Sequence, residues 1–275
     1  MVSSVSLLIT TYNWCDALRQ VLISVANQSH LPREVVIADD GSDERTSIFI
    51  KGLQSTFPTR LIHCWQEDNG FRAAAIRNKA ISQITADYVV MIDGDMVLHR
   101  HFIKDHLDSA RQGYFIQGSR VITSPAAAKE ILSGSNDIHF FAKGISNRFN
   151  TINSPYLSLL FSVNDTSMKS TKTCNFSAWR DDLLRINGFN EDYVGWGRED
   201  SDLVARLFHS GKSRRRLKLL ANAYHIYHPD NSRGRLSRND QLLSHCLSVK
   251  QIRCDNGIDK YLSSEFTYNA NTHKS

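Results

Sequence analysis

Over its first hundred residues this 275-residue chain alternates short β-branched runs with stretches of helical periodicity, and no other feature constrains its fold as much. That rhythm belongs to an α/β architecture, a mostly parallel sheet covered by helices. Val5-Ser6-Leu7-Leu8-Ile9 reads as the first strand. Leu18, Leu22 and Val25 then share one helical face, before Leu31-Pro32 breaks the pattern and Val35-Val36-Ile37-Ala38 opens a second strand. A third strand around Leu61 to Trp65 precedes a helical stretch from Ala73 to Ile84. Tyr88-Val89-Val90-Met91-Ile92 is a continuous apolar run, the mark of a strand buried on both faces.

In open sheets of this kind ligands bind beyond the carboxyl ends of the strands. Polar clusters occupy those places: Thr11-Tyr12-Asn13, Asp39-Asp40-Gly41-Ser42 and Asp93-Gly94-Asp95. From Ser124 to Thr173 the rhythm loosens, and Ser, Asn and Gly mix with aromatic and basic residues such as Phe140, Phe141, Lys143 and Arg148. That stretch is expected to be irregular and to shape a second substrate site. A helix is expected after Gly197, and the tail from Asp230 reads as polar and basic before an amphipathic ending.

With 41% hydrophobic and 22% charged residues the chain can bury one sizeable core, or a main core with a smaller lobe. No stretch approaches the roughly 20 apolar residues that span a bilayer. The first strand begins almost at Met1, with no room for a cleavable leader, so a cytosolic location is expected. The five scattered cysteines match neither a zinc site nor a disulfide scaffold and are expected to be reduced. A net charge of +5 suits a protein that handles phosphates or rests against an anionic surface, without requiring either. Arg214-Arg215-Arg216 reads as a solvated or phosphate-facing edge, since no nucleic-acid fold signature accompanies it.

Asp93-x-Asp95 leaves a buried strand with both carboxylates at the sheet edge, as a divalent cation bridging a diphosphate requires, and hard oxygen ligands suit Mg2+ or Mn2+. Gly94 lies between them. Asp39 and Asp40 end the second strand, where a carboxylate accepts hydrogen bonds from a uracil ring or ribose hydroxyls. Arg72 and Arg77 stand near the start of a helix, where guanidinium groups engage phosphate oxygens. In Gly195-Trp196-Gly197-Arg198-Glu199-Asp200, glycines let a loop approach a ligand, and two carboxylates open a helix whose dipole favours their ionised form. His225 and His228, three residues apart, are candidate metal ligands; a mixed carboxylate and imidazole set favours manganese over calcium. Each cluster alone also fits a plain polar turn or helix cap; their order along the chain is what carries weight.

In that order these stretches resemble the family 2 glycosyltransferases, in particular the catalytic domains of bacterial chondroitin polymerase and the β-1,4-galactosyltransferases. The resemblance runs through Thr10-Thr11-Tyr12-Asn13, Asp39-Asp40-Gly41-Ser42, Gln66 to Arg72 with Arg77-Asn78, Met91 to Asp95, Asn175-Phe176-Ser177 with Gly188-Phe189, and Gly195 to Asp200. It implies a GT-A fold in three parts: a nucleotide-sugar-binding half over 1–100, an acceptor-binding and catalytic half over 101–230, and a C-terminal extension over 231–275. It implies that Asp93 and Asp95 form a metal-binding DxD element, with Asp95 the direct ligand and His228, or His225 after it, completing the shell. Thr11 and Asp40 would contact the nucleoside, with Tyr12, Asn13, Asp39, Arg72, Arg77, Asp93 and Gly94 on the same nucleotide side. Asp200 would be the catalytic base, and Glu199 with Trp196 would orient the acceptor beside Gly197 and Arg198. One departure stands out: the family often has a second glycine where this chain has Arg198, a larger group beside the acceptor.

The implied activity is inverting transfer of a hexose or N-acetylhexosamine from a UDP-sugar to a saccharide or lipid-linked saccharide. The expected setting is bacterial surface polysaccharide assembly, without nucleic acid and with peripheral contact to the inner membrane. A nucleotidyltransferase would share the paired acids but needs a glycine-rich phosphate loop that Thr10-Thr11-Tyr12-Asn13 does not supply. A non-catalytic sugar-binding module would have no need of Asp93, Asp95, Glu199 and Asp200.

Overall fold

The computed structural model describes residue 2 and residues 4–135, 138–229 and 234–262. The first half runs β1 (Val5–Thr11), α1 (Cys15–Ala26), β2 (Glu34–Asp39), α2 (Glu44–Leu53), β3 (Arg60–Trp65), α3 (Ala73–Gln83), β4 (Tyr88–Asp93) and β5 (Met96–Leu98). It continues with α4 (Phe102–Ser109), β6 (Tyr114–Gln117), β7 (Arg120–Thr123), α5 (Pro125–Leu132), β8 (Ile145–Ser146), α6 (Pro155–Phe161) and β9 (Val163–Asp165). The last elements are β10 (Asn175–Trp179), α7 (Arg180–Arg185), α8 (Glu199–His209), β11 (Ser213–Arg216), β12 (Ala223–His225) and α9 (Leu236–Ser248). The expected α/β class and GT-A fold are both observed.

Eight strands form the central sheet in the order β3-β2-β1-β4-β10-β6-β11-β9. The first four are parallel, and β10 enters antiparallel against β4 and β6, so both halves of the chain share one sheet. Alternation along each strand fills a core on either face. Leu7, Ile9, Val35, Ile37 and Val90 pack with Leu18, Leu22 and Val25 of α1, whereas Leu8, Val36, Val89 and Met91 pack with Ile76 and Ile81 of α3 and Leu203 and Leu207 of α8. A smaller sheet, β5-β12-β7-β8, lies over one end and carries His225 in register with Met96 and Ile122. The loosened stretch 124–173 contains only short elements.

One buried polar chain ties β10 to β4. Asn175 Nδ2 donates to the carbonyls of Ser119 and Ala221, both at 2.8 Å, so its Oδ1 accepts from His106 Nε2 at 3.0 Å. His106 Nδ1 must then accept from the Ser177 hydroxyl at 2.8 Å, and Ser177 accepts from Tyr88 at 2.9 Å. Every donor has its acceptor only if the imidazole is neutral, and burial pushes His106 down to about 4.

Within the expected C-terminal extension, α9 is a largely exposed helix with Asn239 and Cys246 buried, while residues 231–233 and the ending at 263–275 lie outside the described residues. The five cysteines are free. Among the described residues no helix is long and apolar enough to cross a membrane.

Candidate active site

The carboxyl ends of β1, β2 and β4 meet α3, α8 and the strand β12 around one cleft. Thr11, Tyr12, Asp40, Arg77, Asp93, Gly94, Asp95, Trp196, Glu199, Asp200, His225 and His228 all face it. Gly94 is needed there: a Cβ would come within 3.0 Å of the Thr10 carbonyl and of Thr11 Oγ1. Its own N–H donates to that carbonyl at 2.7 Å, which draws the turn after β4 against β1.

Asp95, His225 and His228 are drawn together at one end. Their ligand atoms lie within 4.8 Å of one another, with Asp95 Oδ2 at 3.1 Å from His228 Nε2 and 3.4 Å from His225 Nε2. The hydrogen bond to Asp95 raises His228 to about 9, whereas burial lowers His225 to about 4. Trp14 stands edge-on to the His228 ring at 5.8 Å. Asp95 Oδ1 is buried and accepts no hydrogen bond among the described residues. A hard carboxylate oxygen without a partner beside two imidazoles fits a divalent cation.

Asp93 lies outside that trio. Its Oδ1 faces Arg77 Nη2 at 3.2 Å, and 37% of the side chain is open to the cleft. Enclosure and then the nearby Asp95 and Asp200 push its carboxyl upward against the pull of Arg77. Arg77 is the electrostatic hub: it donates to Thr10 at 3.1 Å and reaches Asp200 at 3.3 Å and Glu199 at 3.6 Å. Burial works against its charge, but Asp200, Asp93 and Glu199 together hold it above the ordinary arginine range.

Glu199 and Asp200 open α8 after a loop whose backbone is left-handed at Gly197 (φ 101°) and Arg198 (φ 79°). A non-glycine residue in that region is strained by about 1 kcal/mol, so Arg198 stands where a glycine would be easier to place. The Arg198 guanidinium pairs with Asp240 of α9 at 2.5 Å instead of lining the cleft, and Asn239 donates to the Gly197 carbonyl at 2.8 Å. Thus α9 braces the loop that presents both carboxylates.

The two carboxylates differ. Asp200 accepts from the Thr173 hydroxyl at 2.5 Å and the Thr173 N–H at 3.0 Å, besides Arg77. Glu199 Oε2 is buried and has no hydrogen-bond partner among the described residues. Burial first, then Asp200, pushes the Glu199 carboxyl up to about 7, in the direction opposite to the helix dipole.

Several nucleotide-side candidates hold the frame. Asp39 is fully buried, accepting from the Ser42 N–H at 2.8 Å and meeting His63 Nε2 at 2.9 Å. Asp40 faces the cleft, fixed by the Arg72 N–H at 2.8 Å and Gln66 Nε2 at 2.5 Å. Arg72 turns its guanidinium to the Glu67 carbonyl at 2.6 Å, and Asn13 accepts from the Asp43 N–H at 2.8 Å. Tyr12 donates to Asp68 at 2.9 Å beside the opening. Asn78 clamps the backbone of Phe189 through both amide atoms. Sequence reasoning missed Thr173, Arg120, Trp14 and Phe71; only Phe71 lay within a recognised motif.

A nucleotide-side edge, a carboxylate and imidazole trio and a carboxylate pair around one buried arginine, all on a GT-A sheet, define a glycosyltransferase site. Residues 6–168, more than half of the chain, match the family described as glycosyl transferase family 2, and residues 159–229 match the N-terminal domain of galactosyltransferase. The chain belongs to glycosyl transferase family 2.

It is similar to a hyaluronan synthase of Pasteurella multocida, 25% identical over 223 residues that cover 75% of this chain and 23% of that protein. A chondroitin synthase of Escherichia coli is 23% identical over 270 residues, covering 92% and 38%. A validoxylamine A glucosyltransferase of Streptomyces hygroscopicus subsp. limoneus is 26% identical over 235 residues, covering 76% and 49%. The chain thus spans between about a quarter and a half of the length of these relatives. Among solved structures, S. aureus TarS 1-349 in complex with UDP has a TM-score of 0.60 at 17% identity, covering 94% of this chain and 68% of that one. That likeness establishes the shared fold.

Proposed function

We propose that the chain is a metal-dependent, inverting hexosyltransferase moving a hexose or N-acetylhexosamine from a UDP-sugar to a saccharide or lipid-linked saccharide, in bacterial surface polysaccharide synthesis. The observation that carries this reading is the meeting of the Asp200 and Glu199 pair with Asp95, His225 and His228 across one cleft. A base on one side of a sugar and an electrophilic clamp on the other are what a single displacement needs. Relatives named as hyaluronan and chondroitin synthases support the polysaccharide setting.

In this reading Thr11, Tyr12 and Asp40 hold the nucleoside. Asp200, fixed in direction by Thr173, takes the proton of the acceptor hydroxyl while that oxygen bonds to the anomeric carbon. The bond from that carbon to the diphosphate oxygen breaks, its electrons leave with UDP, and the configuration inverts. Arg77 adds positive charge on the departing side. Asp95, His225 and His228, with Asp93 beside them, would hold a divalent cation, which would supply Lewis-acid charge for the diphosphate. Glu199, whose carboxyl burial and Asp200 push upward, orients the acceptor together with Trp196.

Peripheral membrane contact has its own support. Tyr156, Leu159, Leu160 and Phe161 of α6 are exposed, Tyr156 at 84% and Leu160 at 77%, and Phe141 and Phe149 are exposed nearby in sequence with Lys143 and Arg148. Apolar side chains with basic neighbours match an anionic lipid surface. Sedimentation with anionic vesicles, lost in Leu160→Glu and absent with neutral vesicles, is the expected result; equal retention by both vesicle types contradicts it.

The test of the activity is a screen of nucleotide sugars with manganese and saccharide acceptors, reading released UDP. Release from a UDP-hexose or UDP-N-acetylhexosamine is expected. Pyrophosphate released from a nucleoside triphosphate, with no UDP released from any sugar, would favour a nucleotidyltransferase.

A further inference from the structure

A second cavity, of about 280 Å³, opens beside the cleft and shares Arg120 with it. Its wall carries Arg120 at the start of β7, Lys172, Arg216 at the end of β11 and Lys218, with no carboxylate in the lining. Arg216 is paired with Asp165 at 2.7 Å. Arg120, Lys172 and Lys218 have no ion-pair partner among the described residues; Arg120 donates to the Cys174 sulfur at 3.4 Å, and its charge also acts on Asp93 across the cleft. Four cations around one hollow repel each other and focus a positive field into it. Arg214 and Arg216 share one face of β11 and one partner, Asp165: Arg214 is fully buried against it, and Arg216, at the end of the strand, reaches the hollow.

The hollow's position relative to the chemistry is specific. Lys172 immediately precedes Thr173, whose N–H and hydroxyl fix Asp200. The nucleoside candidates Thr11, Tyr12 and Asp40 line the cleft and not this cavity. An anion held between Lys172, Arg120 and Lys218 therefore sits on the acceptor side, beside the carboxylate assigned to take the proton. The volume accommodates one acidic monosaccharide, or a phosphate with a small ester substituent.

We propose that this cavity is an acceptor subsite for an anionic group, a sugar carboxylate or a phosphate, carried next to the hydroxyl that reacts. The proposal rests on the transferase reading above and adds the charge class of the acceptor. Holding that anion restricts which hydroxyl reaches Asp200, so the cavity selects acceptors as well as binding them.

The experiment is calorimetric titration of the full chain, saturated with UDP and magnesium, with methyl glucuronide, glycerol 3-phosphate and neutral methyl glucoside. At least one anion should bind about tenfold more tightly than the glucoside, a margin in reach of two or three charge-assisted contacts. The stronger of the two identifies carboxylate or phosphate as the natural group. The double variant Lys172→Gln/Lys218→Gln, both exposed positions, should lose most of that preference, keep its weak glucoside binding and melt within a few degrees of wild type. Equal binding of all three probes overturns the proposal, as does an unchanged preference in a folded double variant. A preference for UDP-glucuronate over UDP-glucose that the double variant abolishes also overturns it, by moving the anion onto the donor. If wild type fails to bind UDP, the donor reading falls separately, and the same titrations without UDP still test the cavity.

Discussion

Thr173 grips the Asp200 carboxylate twice, through its hydroxyl at 2.5 Å to Oδ1 and its amide N–H at 3.0 Å to Oδ2, across 27 residues of chain. The contact joins the segment before β10 to the first turn of α8, and in the proposed mechanism it would set the direction in which the carboxylate meets an acceptor. Thr173→Val removes the hydroxyl and keeps the amide. Turnover should fall about tenfold with UDP affinity unchanged, and Thr173→Ser should restore it, since alignment and not donor binding is lost. Unaltered turnover in the valine variant would separate Asp200 from catalysis or make its orientation irrelevant.

How much of this was legible in the sequence differs by residue. The strands β1, β2 and β4 announced themselves because each is a largely apolar run buried along nearly its whole length, and their ends carried the polar clusters; β3, with its edges exposed, was the weakest of the four. Asp39 and Asp40 were indistinguishable, because only the alternation of the strand and His63, 24 residues away, decide which carboxylate turns inward and which faces the cleft. Helix α2 gave little warning, since only Thr46 and Ile50 are buried along its ten residues. Thr173 carried no signal at all: a threonine in an irregular stretch acquires its role only when β10 places it beside α8. The fate of Arg198 was likewise hidden, because its partner Asp240 lies in a helix 42 residues on.

Metal removal provides a second check. Chelation should abolish transfer, manganese or magnesium should restore it, and Asp95→Ala should remain inactive at ordinary metal concentrations, since its oxygen is shared between both imidazoles. His228→Ala should raise the manganese needed for half-maximal activity while leaving partial turnover at saturation. Full activity in excess chelator would remove the cation from the account, and failure of His225→Ala alone would exchange the histidines.

Glu199 ties stability to pH. Its folded value near 7 lies above the 4.5 of a free glutamate, so between those values the folded state holds the proton more tightly and stability falls as pH rises. At pH 8 the penalty is fully present; below about pH 4.5 it vanishes. Glu199→Gln, neutral throughout, should therefore be more stable than wild type at pH 8 by on the order of 3 kcal/mol, and the gap should close near pH 4.5. Urea unfolding of both proteins at the two pH values reads this directly. A gap independent of pH would mean that the buried charge is compensated in another way.

The division of labour between the two adjacent carboxylates is the central claim, and Asp200→Asn tests it most directly when UDP binding and turnover are measured on the same preparation. Calorimetry with UDP and manganese should give nearly wild-type affinity, because the donor is held by the nucleoside side and the cation site. Turnover should fall by about 100- to 10,000-fold, since an amide cannot accept the proton. Glu199→Gln should lose less turnover and show its damage in acceptor KM. Lost UDP binding in Asp200→Asn, or a harsher turnover defect in Glu199→Gln, would contradict the account.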